Sequence, residues 1–342
     1  MNHSCERRPQ RPAVVLLLLL AGCALPACAA SRAQTDAAPA DDSLEREIRE
    51  KVYASVLPDD AKGFQLMATP RQWAGMRQEA PQSLEQYRAA VRVRPTDERR
   101  TIVLQPLGEF TGEQAKVLEL LREYAATFFQ LPARLEKPIA LEVPGAQLHK
   151  IVPINNRHGT YDRQYNGDRV MLELLAPKLS ADAVVYLGVT MADLYSGRTK
   201  FVFGVASLDK RVGVFSLCRY YPEFEGLERG RSGNVSILRR ACKVLNHETG
   251  HMFGLRHCTF YRCSMNYSDS LPEADDTPIH ECPVCHRKLL WNIGFEPLKR
   301  FAALKDFYQR LGLTAEAEWL AGRTQRWKSV TAAEDAKKAG EE

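Results

Sequence analysis

The sequence predicts an α/β fold in which helices pack against a mixed sheet. Apolar segments of strand-like composition, such as "AVVYLGV" at 183–189, alternate along the chain with segments of helical periodicity. Thr111 and Gln114 form a capping box at the start of one predicted helix. With 342 residues, 45% of them apolar and 26% charged, the chain has an ordinary globular composition and can bury a sizeable core.

The first part of the chain is predicted to contain three helices and one strand. A helix over 43–57 and another that begins near Ser83 precede a strand at 101–105. The helix after Thr111 would bury one face. The apolar residues that define these faces are Leu44, Ile48, Val52 and Val56 in the first helix, and Val117, Leu121, Tyr124 and Phe128 in the third.

Four further apolar segments predict strands in the middle of the chain, with a helix expected near 168–178. The strand segments are 139–143, 183–189, 201–206 and 211–217. The longest predicted helix opens near Val235 and runs through "VSILRRACKVLNHETGHMFG". Two more helices are expected, near 297–311 and 315–327.

The charge distribution argues against nucleic-acid binding. The net charge is +5, and the Lys and Arg residues are dispersed rather than clustered with aromatic residues. We therefore expect no nucleic-acid partner, and we expect the protein to be a monomer.

The first thirty residues are typical of an export signal. Arg7, Arg8 and Arg11 precede the apolar run "AVVLLLLLAG", which is shorter than the roughly 20 residues of a transmembrane helix. "LAGC" resembles a bacterial lipobox, which would make 1–22 a signal peptide and attach lipid to Cys23. Ordinary cleavage near "ACAA" is the alternative. In both cases the protein leaves the cytoplasm; as a lipoprotein it would be periplasmic or on the cell surface, with that lipid as its one membrane contact.

The segment "HETGHMFGLRHC" predicts a catalytic zinc site. His247 and His251 are four residues apart, so a helix presents both on one face, beside Glu248. Gly254 would end the helix and let the chain turn back to bring His257 to the metal. Three imidazoles leave a fourth position for water, as catalytic zinc requires. The other histidines of the mature chain are interpreted as ordinary surface or core residues: His149, His158, His280 and His286.

Four cysteines, the first of which ends this segment, predict a second, structural zinc site. They form a C-x4-C pair and a C-x2-C pair, a spacing typical of tetrahedral zinc, and they are Cys258, Cys263, Cys282 and Cys285. Two disulfides are the alternative in an exported protein. Cys218 and Cys242 are either free or paired with each other.

The order of these motifs resembles a known peptidase family. The extended histidine motif followed by a methionine, here Met265 in "CSMNY", is the signature of metzincins. The continuation into four cysteines resembles archaemetzincin, as do "IVLQPLGEF", "FVFGVAS", "RVGVFSLCRYYPEF" and "SMNYSDSL", and the resemblance covers roughly 65–295. Two features differ from the family: sixteen residues instead of seventeen follow Met265, and an export signal is unusual.

The resemblance implies a metzincin-type zincin fold: a twisted mixed sheet, an active-site helix and a C-terminal subdomain stabilised by the four-cysteine zinc. It implies two zinc ions and hydrolysis of peptide or protein substrates, with Glu248 as general base. A substrate would pair antiparallel with the edge strand at 201–206. Tyr267 would either contact the oxyanion or simply pack beneath the site. The alternative function is a membrane-tethered, two-zinc peptide-recognition module, against which the intact Glu248 argues.

The predicted domain organisation follows from these segments. A flexible tether covers 23–44, an N-terminal helical extension 45–97, and the catalytic domain 98–330. A disordered tail is expected at 331–342, where the sequence ends in "AAEDAKKAGEE".

Overall fold

The structure is a computed structural model that describes residues 61, 63–67, 79–151, 163–230 and 233–339, with side chains as far as 329. The predicted signal peptide (1–22), Cys23, the tether (23–44) and the helix over 43–57 lie outside these residues and stay predictions. Within the described residues, no helix combines the length and the apolar character that crossing a membrane would need.

Two sheets form in the described part of the chain, and their strands are β1 (Thr101–Leu107), β2 (Ala133–Leu135), β3 (His149–Ile151), β4 (Arg163–Asn166), β5 (Ala183–Thr190), β6 (Asp193–Tyr195), β7 (Gly204–Ala206) and β8 (Val212–Ser216). The larger sheet has the order β2-β1-β5-β8-β7 and the smaller one β3-β4-β6. Strands β2, β1, β5 and β8 are parallel, whereas β7 pairs antiparallel with β8, with Val205 opposite Val214. The larger sheet is therefore mixed, and its antiparallel strand β7 lies at one edge.

The helices of the described residues are α1 (Leu84–Ala90), α2 (Gly112–Phe129), α3 (Gly167–Arg169), α4 (Gly233–Met252), α5 (Leu271–Asp276), α6 (Pro283–Ile293), α7 (Pro297–Arg310) and α8 (Thr314–Ala339). Helix α3 continues as a π-helical turn at Val170–Leu175 and a 3₁₀ turn at Ala176–Lys178. The predicted capping box of Thr111 and Gln114 is present at the start of α2. A second capping box, of Ser83 and Gln86, starts α1.

The core lies on both faces of the larger sheet, because every residue of β5 is buried. Val185 and Leu187 face the cluster that contains α2 and α4, whereas Tyr186 faces the cluster that contains Leu174 of the π-helical turn. A parallel strand that is buried on both faces has a nearly continuous apolar sequence. This explains why "AVVYLGV" is visible as a strand from sequence alone, and it confirms the predicted α/β class.

Several predicted elements differ from the structure. Segment 139–143 is not a strand but makes two single bridges, from Ile139 to Leu107 and from Val143 to Ala146. Pro138 and Pro144 flank this segment and have no amide hydrogen for a ladder. The strand predicted at 201–206 is shortened to Gly204–Ala206.

Two predicted helical features also need correction. The helix predicted near 168–178 is a succession of α, π and 3₁₀ turns, in which Pro177 cannot donate a helical hydrogen bond. The disordered tail predicted from residue 331 is wrong as far as Ala339, because α8 continues to that residue. The segment is rich in Ala, Lys and Glu, which have high helix propensity.

A buried ion-pair network joins the two C-terminal helices to the start of α6. Glu281 is 2% exposed and pairs with Arg300 of α7, which is 1% exposed. His286 Nδ1 lies 2.8 Å from Glu281 Oε1, and Arg323 of α8 donates to the Glu281 carbonyl at 3.3 Å. Although burial opposes ionisation, Arg300 and His286 hold the pKa of Glu281 well below its ordinary value. The network therefore fixes the segment around Cys282 to the C-terminal helices.

Changing Glu281 to Gln should lower the free energy of unfolding by about 3–5 kcal/mol, because Arg300 would remain buried without its counter-charge. Urea unfolding of the two purified proteins measures the difference. Glu119→Gln is the control, since Glu119 pairs with Arg122 on the surface of α2 and should contribute less than about 1 kcal/mol. Similar losses in both variants would show that the network does not stabilise the fold.

Candidate active site

Helix α4 and the loop after it bring three histidines together. His247 and His251 lie one helical turn apart on α4, which ends at Met252. Gly254 has φ of 83°, a left-handed conformation that a glycine adopts without a Cβ clash, and the chain reverses there. His257 then faces the helix, with its ring centroid 5.2 Å from that of His247 and 4.8 Å from that of His251. One ring nitrogen from each histidine lies within 4.8 Å of the other two.

The hydrogen bonds of the helical pair leave two nitrogens that fit a metal ion. His247 Nδ1 lies 2.9 Å from the Ser264 carbonyl oxygen, and His251 Nδ1 lies 2.7 Å from that of Leu255. A carbonyl only accepts, so each Nδ1 carries the hydrogen and each Nε2 keeps a lone pair. The two Nε2 atoms are 3.0 Å apart, where two lone pairs repel unless a cation lies between them. This arrangement fits zinc.

The protonation of these rings agrees with that assignment. Burial, with the neighbouring His257, lowers the pKa of His251 to about 3. Burial, with both other histidines, also holds the pKa of His247 well below its ordinary value. Both rings are therefore neutral at physiological pH, which is the form that binds zinc.

The third histidine is oriented by a carboxylate that the sequence analysis missed. His257 Nδ1 donates to Glu79 Oε1 at 2.7 Å, and this hydrogen bond holds the pKa of Glu79 below its ordinary value. A carboxylate on the outer nitrogen of a histidine fixes the ring and its tautomer. Glu79 is 178 residues away in the chain. No local pattern distinguishes it from other acidic residues, so sequence reasoning had no signal for it.

The N-terminal extension also fixes the backbone of the histidine loop. Gln82 donates from Nε2 to the Gly254 carbonyl at 3.1 Å and accepts from the Arg256 amide at 3.3 Å. Tyr87 of α1 donates from its hydroxyl to the Phe253 carbonyl at 2.8 Å. The described part of the extension is therefore a structural component of the site.

Glu248 lies beside the edge strand. It is 4% exposed, and burial raises its pKa to about 8. A Cβ placed on Gly204 of β7 would lie 2.4 Å from Glu248 Oε1, so only glycine allows the carboxylate to approach the strand this closely. The carboxyl group and β7 thus line the same cleft.

The turn around Met265 supports α4 from below. Met265 is 1% exposed, and a Cβ on Gly250 of α4 would lie 2.5 Å from its Sδ atom. This close approach explains the glycine inside the helix. Asn266, also missed from sequence, donates to the carbonyls of Cys258 and Tyr261 at 2.8 and 3.0 Å. Its side chain therefore holds the loop in shape.

The four cysteines form a separate buried cluster. Their Sγ atoms all lie within 4.8 Å of one another, and those of Cys258 and Cys282 are 3.6 Å apart. Zn–S bonds of about 2.3 Å give a tetrahedral edge of roughly 3.8 Å, whereas a disulfide is about 2.05 Å long. The Cys282 amide donates to Cys263 Sγ at 3.2 Å. The cluster therefore fits a tetrahedral metal better than two disulfides. Cys218 and Cys242 are both buried free thiols here.

A cleft of about 640 Å³ opens beside the histidines. Tyr267 lines it, with its ring 5.2 Å from that of His257 and its hydroxyl donating to Asp269. Lys243 of α4 lines it too, and burial lowers the pKa of this lysine to about 7. Tyr220 stacks against Phe203 at 5.3 Å in the cleft wall.

Comparisons with known proteins relate the chain to one peptidase family. The family model for peptidase family M54 matches residues 142–290. Archaemetzincin-2 of Homo sapiens is 33% identical over 264 residues, which cover 69% of this chain and 71% of that protein. Archaemetzincin-2 of Pongo abelii is 34% identical over the same length and shares. The crystal structure of archaemetzincin from Methanopyrus kandleri is 24% identical, with a TM-score of 0.46, over 59% of this chain and 99% of that one.

These relatives support peptidase activity, and they do not support the alternative prediction of a tethered recognition module. They agree with the resemblance that the histidine and cysteine motifs indicated from sequence. The chain belongs to the archaemetzincin family, peptidase family M54, and is a zinc metallopeptidase.

Proposed function

We propose that the enzyme hydrolyses peptide bonds at a zinc ion held by His247, His251 and His257. The observation that carries this proposal is the pair of Nε2 atoms that face each other at 3.0 Å in an open cleft. Zinc, when bound, would supply a Lewis acid that activates water and polarises the peptide carbonyl.

Glu248 is the proposed general base. It follows His247 directly on α4, lines the cleft and is almost fully enclosed. Burial alone favours the protonated form of Glu248, whereas the positive charge of a zinc ion at the histidines would favour the ionised form. The ionised Glu248 would accept the proton of the attacking water and return it to the leaving amine.

The edge strand is the proposed platform for the substrate. In the described residues β7 is the last strand of its sheet, so an extended peptide could add to its outer edge. Such a peptide would pass beside Gly204, next to the Glu248 carboxylate. Tyr267 is the candidate contact for the carbonyl oxygen, and its hydroxyl would have to leave Asp269 to make that contact.

A second, structural zinc ion is proposed for Cys258, Cys263, Cys282 and Cys285. Cys258 follows His257 directly, and its amide donates to the Met265 carbonyl at 2.8 Å. A metal at the cysteines would hold this loop and the turn at Met265 in place. The position of Met265 beneath α4 also supports a metzincin-type zincin fold.

Changing Glu248 to Gln should leave zinc content and folding intact but lower kcat for peptide hydrolysis by at least about 10²–10⁴-fold, because the base is lost. The assay needs a cleavable peptide from an unbiased library digest and a chelator control. Equal rates in Glu248→Gln and the unaltered protein would refute the proposed base.

In the same assay, Tyr267→Phe should lower kcat with little change in KM if its hydroxyl contacts the transition state alone.

Elemental analysis of the purified protein should give two zinc ions per chain, since the two ligand sets are separate. The double change Cys282→Ser and Cys285→Ser should leave one zinc and a less stable fold. The matched control is Cys218→Ser with Cys242→Ser, which removes two buried thiols outside the cluster and should retain both ions. One zinc with two disulfides in the unaltered protein would overturn the structural site.

Removing the carboxylate of Glu79 should lower the affinity of the histidine site for zinc by about 10–100-fold, because His257 loses the group that orients its ring. Glu79→Ala should show the full effect, whereas Glu79→Gln keeps a hydrogen-bond acceptor and should show less. Zinc affinity is measured by competition with a calibrated chelator. Glu85→Gln, an exposed acid of the same extension, is the control. Unchanged affinity in Glu79→Ala would mean that the contact with His257 has no role in metal binding.

A further inference from the structure

Lys243 lies on the same face of α4 as the zinc-binding histidines. Lys243, His247 and His251 are spaced four residues apart, so their side chains form one row along the helix. One such step corresponds to about 6 Å of helix rise. All three residues line the cleft. A group bound at Lys243 would therefore be within one or two residues of a peptide bond held at the histidines, since an extended peptide advances about 3.3 Å per residue.

This lysine is buried without an acidic partner among the described residues. It is 6% exposed, and in the described part of the chain its Nζ donates to the Thr277 carbonyl at 2.8 Å. The charged form of this group has three hydrogens to donate, so two remain for a ligand.

The nearest acids are already engaged elsewhere. Asp275 accepts from Arg240 at 2.6 Å, and Glu316 accepts from Arg239 at 2.5 Å. Burial lowers the pKa of Lys243 most, and Arg239 and Arg240 lower it further, whereas Asp275 and Glu316 raise it in part. Among the described residues, neither acid forms an ion pair with Lys243, since each is paired with an arginine.

The remaining charged groups of the cleft do not pair with Lys243 either. Glu79 is bound to His257, and Asp269 accepts from Tyr267. Arg256 is exposed and carries the same sign as Lys243. Glu248 is the proposed base beside Gly204. Lys243 is therefore the buried cation of the cleft in the described part of the chain.

A buried cation without an anion is costly, and its surroundings would strengthen any ion pair that it forms. Lys243 is 6% exposed, so little water reaches it, and the attraction between charges increases as water is excluded. A carboxylate from a ligand would supply both the counter-charge and acceptors for the two remaining hydrogens.

We propose that Lys243 forms a subsite that binds a carboxylate group of the peptide substrate close to the cleaved bond. The carboxylate belongs either to an Asp or Glu side chain or to the C-terminus of the peptide. This inference rests on the proposed function of the cleft, and it specifies the substrate class as acidic peptides or peptides cleaved near a free C-terminus.

The test compares matched peptides on the zinc-loaded mature protein. Peptides from the library digest are remade with Glu or Gln at each position next to the cleaved bond, and with a free or an amidated C-terminus. One carboxylate should raise kcat/KM by roughly 10- to 100-fold over its neutral counterpart, the effect of a hydrogen-bonded charge. A preference for Glu identifies a side-chain carboxylate, and a preference for the free C-terminus identifies the terminal one.

Lys243→Met, which keeps the length of the side chain, should abolish this preference while zinc content is retained. Lys288→Met is the matched control, because Lys288 is also buried and donates to a backbone carbonyl, that of Gln82, but lies outside the cleft. It should retain the preference, whatever its effect on stability. If Lys243→Met does not fold, equal cleavage of charged and neutral peptides by the unaltered protein would still overturn the subsite.

Binding to the zinc-loaded Glu248→Gln protein separates this inference from the proposed function. Fluorescence anisotropy with the same labelled peptides should show the carboxylate preference without turnover. Carboxylate-dependent binding, together with no peptide cleavage by the unaltered zinc-loaded protein, would refute the proposed hydrolysis but support the subsite. Equal binding and equal cleavage of charged and neutral peptides, or a preference that persists in Lys243→Met, would overturn the subsite.

Discussion

The geometry of the site depends on the reversal of the chain after α4. A helix alone can present two histidines on one face, but the third ligand has to come from outside the helix. The left-handed turn at Gly254 makes this third ligand available, because the chain reverses there and places His257 opposite His247. A short loop of this kind has little intrinsic stability. Its conformation is therefore determined by what holds it.

Three sets of contacts hold that loop. On one side, Gln82 and Tyr87 bind its carbonyls and Glu79 binds the His257 ring. Beneath it, Met265 packs against α4 at Gly250. The cysteine cluster begins at the residue after His257, Cys258. Contacts of this kind reduce the ordering that zinc binding at the histidines would otherwise require.

The two candidate metal sites are consequently parts of one structural unit. The turn that contains Cys263 also provides the Ser264 carbonyl that accepts from His247 Nδ1. The second cysteine pair is attached to the C-terminal helices through Glu281, Arg300 and Arg323. A buried ion pair adds little net stability compared with apolar packing, but breaking one is costly. This network thus explains how α7 and α8, which lie far from the histidines in sequence, support the arrangement of the site.

The sequence by itself determined the features that arise from local geometry. Helix periodicity predicts that His247 and His251 share one face, and the glycine at 254 predicts the turn. The close spacing within each pair of cysteines predicts a shared metal ion. The fully buried strand β5 was visible for the same reason, because its composition is continuous and apolar. Segment 139–143 is also largely apolar, but Pro138 and Pro144 flank it and it makes only two single bridges.

Only the tertiary structure decided which distant groups complete the site. Glu79 contacts His257 across 178 residues, and Ser264 acts through a backbone carbonyl, which every residue has and which no sequence pattern marks. Lys243 was visible as a residue of the helix, but not as a buried cation without an acid. That property depends on the ion pairs that Arg239 and Arg240 form with the two neighbouring carboxylates. Spacing along one helix is written in the sequence, whereas the partner of a charge is set by packing between elements.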